Sequence, residues 1–305
     1  MAMTELPLEQ ARTRTARRRR GRDERITGYG FLLPDLIGLL VFVVGPIGYA
    51  FYISLHDWNA LGSPHWAGLG NYQRLINDPQ FWSSMKITAT YTLWYVPILY
   101  VASLGLALMV SQKLPYMGVF RTIYFVPVVL SLVVSALMWK YIFDERSGLL
   151  NYLIGLVGIA PQPWLGSVDL ALPAIIAVSV WINMGYYMTI FVAGLQDIPR
   201  EFYEASRIDG ANGWQTLTRI TLPLLMPTSL FIVVISLIGS FQVFDQIWVM
   251  TKGGPAYATQ VTVTYIYQQA FQYLNLGYAS AIAFALFIVI LGVSLVQFRL
   301  FRDQS

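Results

Sequence analysis

The chain has 305 residues, 56% hydrophobic and 12% charged, with a formal net charge of +4. So apolar a balance excludes an ordinary water-soluble domain of this length and makes lipid the solvent for most of the chain. Cysteine is absent, which rules out disulfides and thiolate metal ligands and leaves the compartment open.

Residues 1–28 form a basic tail carrying Arg12, Arg14, Arg17 to Arg20, Arg22 and Arg25. Beside a membrane span such a cluster reads as a topology anchor that meets anionic headgroups, in preference to a nucleic-acid-binding element. The apolar stretch that follows is too long for a cleaved signal peptide and contains Pro34 and Asp35, residues foreign to such a segment. Asp35 is expected to cap the first helix or to pair with a nearby Arg.

Five runs free of Asp, Glu, Lys and Arg cover 36–55, 87–112, 122–139, 170–196 and 220–244, and a sixth apolar stretch covers 278–298. Each is close to the length of about 20 residues that crosses a hydrocarbon core. The runs are continuously apolar instead of alternating, so the reading is an all-α fold of six transmembrane helices over 29–302. Pro46, Pro97, Pro127 and Pro173 can bend those helices. With the N-terminus in the cytoplasm, 15 of the 20 basic residues fall on that side, and only Arg74, Lys86, Lys140, Arg146 and Lys252 lie outside. The positive-inside rule then places both termini in the cytoplasm.

Three outer connections, 56–86, 141–169 and 251–277, carry the turn formers Gly68-Leu69-Gly70-Asn71-Tyr72, Gly148 with Asn151, and Lys252-Gly253-Gly254-Pro255. The two histidines, His56 and His65, are expected to be solvated loop residues there.

The cytoplasmic loop 196–221 lies between helices four and five. Asp197 can cap a short helix with Pro199 in its first turn, and Gly210 can end it in the left-handed conformation. Phe202, Ala205 and Ile208 form a small apolar ridge beside Glu201, Glu204 and Arg207, and Asn212 or Gly213 can begin a second helix. Such a slim helix suits insertion into a partner's groove, with Glu204 or Asp209 pairing with a basic residue there. A hairpin lying on the membrane surface would have the same spacing.

The series Glu204-Ala205-Ser206, then Gly210 after three residues, then Ile220, Leu222 and Pro223 after nine more resembles the E-A-A-x3-G-x9-I-x-L-P loop of permease subunits in bacterial binding-protein-dependent ABC importers. Ser206 in place of the second Ala is the one departure, and it keeps the helix slim. Residues 204–211 are similar to the carbohydrate-uptake branch, the maltose and glycerol-3-phosphate type. Gly70-Asn71-Tyr72, the stretch from Arg121 through Pro127 to Trp139, Gly148 with Asn151, Phe244-Asp245 and Thr251-Lys252-Gly253-Gly254-Pro255 extend the resemblance over about 28–302.

The resemblance implies a type I importer permease in the bacterial inner membrane. Its coupling loop, with Glu204, Ala205, Ser206, Asp209, Gly210, Ile220, Leu222 and Pro223, would dock on cytoplasmic ATPase subunits present in two copies. A second permease of different sequence and an extracytoplasmic solute-binding protein would complete the assembly, and the substrate would be a sugar or polyol. No G-x4-G-K-[ST] phosphate loop occurs in the chain, so ATP hydrolysis is expected on a partner. No G-x-S-x-G elbow or H-E-x-x-H pair is present either, and no catalytic residue, cofactor or metal is expected.

Polar groups at membrane depth rarely face lipid. Asn183, with Tyr186 and Tyr187 a turn away, is suited to bind and stack against a sugar, or to hydrogen-bond between helices. Gln242 and Asp245 repeat the pattern, with Asp245 about 33 Å along a continuous helix from Pro223, at the depth of an outer gate. Tyr91, Trp94 and Tyr95 read as an interfacial aromatic belt. An ion-coupled secondary transporter is the rival reading, but the runs offer neither a midplane acid nor a clear internal repeat.

Overall fold

The computed structural model describes residues 29–112 and 116–302. The basic tail 1–28 and Lys113 therefore lie outside the described residues. Among the described residues four unbroken helices are long and apolar enough to cross a membrane: α1 (Tyr29–Ser54), α3 (Pro79–Val110), α7 (Ala171–Asp197) and α13 (Leu276–Arg302), the last with its apolar part at Leu276–Gln297. Shorter helices complete the chain order. They are α2 (Gly70–Ile76), α4 (Met117–Val129), α5 (Leu132–Ile142), α6 (Leu149–Gly155), α8 (Arg200–Ile208), α9 (Gly213–Leu224), α10 (Met226–Phe241), α11 (Asp245–Met250) and α12 (Thr262–Tyr267).

The third and fifth spans differ from the straight helices read from the sequence. α4 and α5 meet at 98°, and α9 and α10 at 69°. At the first break Leu130 and Ser131 are extended, with ψ of 148° and 132°, three residues past Pro127. At the second, Pro223 and Pro227 flank Leu225, whose φ and ψ of −80° and 0° depart from the helix. Two prolines four residues apart remove two donors and crowd the preceding carbonyls, so the turn opens. A π-turn over Leu217–Thr221, just before Pro223, absorbs part of the same strain.

The core is built on α3 and α7. Tyr91, Leu99, Ala107 and Val110 of the first, and Ile175, Ile182, Met188 and Phe191 of the second, are buried. α4 approaches α7 so closely that a Cβ on Gly185 would overlap the Tyr124 carbonyl, and a Cβ on Gly194 would lie 2.5 Å from Thr228 Oγ1 of α10. Small residues at such crossings let backbones touch in a solvent that supplies no hydrophobic drive. α1 lies at the edge, against α13, with Phe51 and Phe284 rings 4.8 Å apart.

The end of the bundle away from α8 is pinned by side chains. A two-residue ladder pairs β1 (His56–Asp57) with β2 (His65–Trp66). Asn71 donates to the carbonyls of Ser54 at 2.9 Å and His56 at 2.8 Å, and the hydroxyls of Tyr72 and Ser54 are 2.7 Å apart. His56 is consequently buried, not solvated, with Nδ1 2.8 Å from the Tyr52 carbonyl and its ring edge-on to Trp66; His65 is exposed as expected. Asn151 knots the second outer connection by accepting from Gln162 N–H at 3.0 Å and Trp164 Nε1 at 2.8 Å. Asp78 caps α3 through Gln80 N–H at 2.9 Å and accepts from Tyr265 at 2.6 Å and from Tyr278. Burial works against the Asp78 charge, but the two phenols and the Gln80 and Phe81 backbone outweigh it, holding the carboxyl below its ordinary value of 3.8. Tyr265 is pushed up to about 12, by burial first and by donation to Asp78 second.

Two outcomes follow from this packing. Gly185→Ala is expected to destabilise the fold by about 1–3 kcal/mol, whereas Gly105→Ala, where a Cβ meets nothing within 4 Å, is neutral; thermal unfolding of the purified protein in lipid distinguishes them. Because the Asp78 carboxyl is depressed in the folded state, its contribution is present above its ordinary value and is lost as pH falls through the lower folded value. The melting temperature of the native chain should therefore approach that of Asp78→Asn only in that acid range, and a constant gap between the two there would refute the assignment.

Candidate functional site

Two places in the fold carry functional chemistry: the α8 segment and a polar cavity at membrane depth. Ile198, held extended by the following Pro199, has φ −72° and ψ 120°. Asp197 is therefore the last residue of α7 and not the cap of α8; Pro199 occupies that cap position, where its missing N–H costs nothing. The α8 helix stops at Gly210, whose φ is +73°. Gly210 N–H donates to the Arg207 carbonyl at 3.2 Å and Ala211 N–H to the Ser206 carbonyl at 2.9 Å, the paired bonds of a Schellman stop. Asn212 then starts α9, with its side chain and that of Gln215 capping each other's backbone at 2.9 Å.

This framing fixes what α8 presents. Glu204, Ala205, Asp209 and Gly210 are exposed, as are Phe202 at 47% and Ile208 at 86%. Ser206 faces inward, 5% exposed, and donates to the Tyr203 carbonyl at 2.8 Å. Behind it a cleft of 460 Å³ separates α8 from α9 and the end of α3. Thr221 Oγ1 reaches Tyr203 Oη across that cleft at 3.4 Å. Ile220, Leu222 and Pro223 do not share the exposed ridge: Ile220 and Leu222 are half-buried in α9, and Pro223 stands at the bend toward α10.

The second place is a cavity of 190 Å³ where α3, α7 and α10 meet. Tyr91 and Tyr95 of α3, Asn183 and Tyr187 of α7, Ser236, Gly239 and Ser240 of α10, and residues 242–246 line it, with Leu132 of α5. The helix predicted to run through 244 ends at Phe241, and Asp245 begins α11. Asp245 therefore lines the same cavity as Asn183 instead of standing apart at an outer gate. Asn183 donates to the Ser179 carbonyl at 2.8 Å, which leaves its amide oxygen available as an acceptor.

Tyr187 is 6% exposed in the wall of this cavity, while Tyr186, 42% exposed, stands outside it with its ring edge against Tyr187. Tyr91 and Tyr95, expected in an aromatic belt, are instead buried and stacked at 5.3 Å; Trp94 alone of the three is exposed. Ser236, Gly239, Ser240 and Gln246 were not read from the sequence as site residues. Their signal was present in α10, where Ser236 and Ser240 repeat at four residues within an aliphatic run. Ser240 Oγ donates to Thr92 Oγ1 at 2.9 Å, tying α10 to α3 at the cavity wall.

Residues 90–304 match the family described as binding-protein-dependent transport system inner membrane component. The chain is 37% identical to a probable ABC transporter permease protein, PH1215, of Pyrococcus horikoshii, over 87% of this chain and 92% of the relative. It is 35% identical to the trehalose/maltose transport system permease protein MalF of Thermococcus litoralis, over 90% of this chain and 93% of the relative. Among solved structures it superposes with a TM-score of 0.82 and 25% identity on a chain of a bacterial ABC transporter involved in the import of the acidic polysaccharide alginate, covering 94% of this chain and 99% of that one.

The left-handed turn gives a direct test of the α8 geometry. Gly210→Val forces a β-branched residue to positive φ and should fray the Schellman stop, at a cost of about 1–2 kcal/mol, whereas Gly210→Asn is tolerated. Hydrogen exchange at the Gly210 and Ala211 amides should accelerate in the first variant and stay near native in the second. Equal protection in all three would mean that the turn is held from elsewhere.

Proposed function

Because the chain belongs to the family of binding-protein-dependent transport system inner membrane components, we propose that this ABC importer permease carries a sugar or related polyol through the cavity at Asn183. The observation that supports this most directly is the cavity itself: amide and hydroxyl groups beside stacked tyrosine rings, at membrane depth. Hydroxyls of a sugar ring find donors and acceptors in Asn183, Gln242, Ser236 and Ser240, while its apolar face finds Tyr91, Tyr95 and Tyr187. A polar solute finds hydrogen-bond partners there, the Asp245 carboxyl among them, and a purely apolar one would leave those groups unpaired.

Energy comes from a partner. ATP binding and hydrolysis belong to two cytoplasmic ATPase subunits, which α8 engages through Glu204, Ala205, Asp209 and Gly210 beside the Phe202 and Ile208 ridge. Ser206 holds the inner side of that helix, and Ile220, Leu222 and Pro223 carry its displacement through α9 to the bend before α10. A second permease subunit of different sequence closes the other half of the path, and an extracytoplasmic solute-binding protein delivers the substrate. Both termini then lie in the cytoplasm. The transporter alternates access because nucleotide and loaded binding protein each contact its two states unequally.

The test is ATPase activity of the purified complex in lipid, with its binding protein and a panel of sugars. One sugar should stimulate the native complex. Gly210→Pro should abolish that stimulation with the complex still inserted, and Asn183→Ala should lower sugar-dependent turnover about threefold to tenfold, the worth of a lost hydrogen bond. Uptake that follows an imposed ion gradient without any copurifying ATPase would overturn the proposal.

A further inference from the structure

The cleft behind α8 has a chemistry of its own. Tyr203, Ser206 and Arg207, spaced at i, i+3 and i+4, share the face of α8 that lines it. Gln112 closes it from the end of α3, and Gly213, Thr216 and Thr221 close it from α9. Arg207 is the single charged residue in this wall; Glu204 and Asp209, its acidic neighbours on α8, stand outside it. The volume of 460 Å³ falls in the range of small-molecule sites, about 300–1,000 Å³, and is larger than a bare ion needs.

Most hydroxyl donors of the wall are already engaged. Ser206 donates to the Tyr203 carbonyl at 2.8 Å, Thr216 to the Asn212 carbonyl at 3.0 Å, and Thr221 is 3.3 Å from the Thr216 carbonyl and 3.4 Å from Tyr203 Oη. What stays open among the described residues is a set of donors. Tyr203 keeps its own O–H, the Gln112 amide is exposed, and Arg207 presents a guanidinium fork with no carboxylate in the wall to meet it. At the start of α9 the reciprocal cap engages the N–H groups of Asn212 and Gln215, which leaves the Gly213 N–H without a helical acceptor at the edge of the cleft. A donor-rich wall with one positive charge and no acid is matched by an anion with several acceptor oxygens. A carboxylate has two such oxygens, and a phosphate monoester has three, enough to take the guanidinium fork and a further N–H together.

We propose that this cleft binds one water-soluble phosphate monoester of a small polar metabolite, its phosphate on Arg207 and the Gly213 N–H and its body between Gln112 and Tyr203. A lipid headgroup shares the phosphate chemistry. The wall offers an acyl chain only Leu108, Ala211 and Leu217, with no continuous apolar run, so the soluble ester is the occupant that fits. The ligand touches α8, α9 and the end of α3 at once, across a space that otherwise separates α8 from α3. Occupancy therefore fastens α8 to α3 and opposes its displacement, which makes the site inhibitory. That consequence rests on α8 being the element that engages the ATPase; the binding itself does not.

The experiment is isothermal titration of the assembled transporter in phosphatidylcholine nanodiscs, with ADP saturating the ATPase subunits, against glucose 6-phosphate and gluconate. Glucose 6-phosphate should bind at one site per chain, and gluconate about tenfold more weakly for its missing charge-assisted hydrogen bond. Arg207→Gln should weaken glucose 6-phosphate about tenfold or more, and Arg207→Lys should restore part of the loss. Asn183→Ala should leave this binding as it is, which separates the cleft from the cavity at membrane depth. Equal binding by the native complex and Arg207→Gln, or loss of binding in Asn183→Ala, would overturn the proposal. Displacement of the ester when phosphatidylglycerol replaces phosphatidylcholine would assign the cleft to a headgroup and overturn the soluble ligand. Sugar-stimulated ATPase activity should fall on adding glucose 6-phosphate to the native complex, and fall less in Arg207→Gln. Arg207-dependent binding with an ATPase rate indifferent to the ester would leave the site standing and overturn the clamp on α8.

Discussion

Hydrocarbon offers no partner to a free peptide N–H or C=O, and that constraint decides where this chain is allowed to leave the helix. Irregular backbone at membrane depth is tolerated where protein or a polar cavity can satisfy it. Of the departures, residues 242–244 line the cavity, and the break before Leu132 adjoins it through Leu132. The third, at Leu225, is fully buried. The cavity is thus not a gap left over between straight helices. It exists because α10 stops at Phe241 and turns its Gln242, Phe244 and Asp245 into the space beside Asn183.

The same constraint links α8 to the cavity. α8 is joined to α9 by a turn with no slack, a Schellman stop followed within two residues by a reciprocal cap. α9 is in turn joined to α10 across a bend made by Pro223 and Pro227. A displacement of α8 would therefore pass to α10 through α9 and the prolyl bend, while Tyr203 and Thr221 tie the two helices behind the cleft at 3.4 Å. The close contact of Gly194 with Thr228 places the α8 end of α7 against the first turn of α10, while Asn183, further along α7, lies beside Ser236 and Ser240.

Composition and charge-free runs were enough to read the six spans and the all-α class, because the cost of a charge in lipid is a property of the residue and not of its neighbours. The E-A-A-like series likewise carried the family, since its glycine and small residues answer local backbone demands. What the sequence hid was orientation. Tyr91 and Tyr95 have the composition of a belt, and only the packing of α3 on α7 turns them inward. His56 reads as a loop residue until Asn71, fifteen positions away, fixes the backbone that buries it. Asp245 was misplaced by assuming a continuous helix through 244, a step that Gly239 and the polar Gln242 already argued against.

Stability is distributed unevenly between the two ends of the bundle. One end is dense in side-chain hydrogen bonds: Asn71 on two carbonyls, Asn151 on a loop and an indole, Asp78 on two phenols. The α8 end is held chiefly by its own turns, with a 460 Å³ cleft at its back. Regions with few buried contacts open at lower free energy than those with many. By that measure displacement of α8 costs less than displacement of the pinned end, and a tilt of the bundle would pivot about the Asp78 and Asn71 locks. Motion about a fixed far end is largest near α8 and smaller at the cavity, which lies between the two.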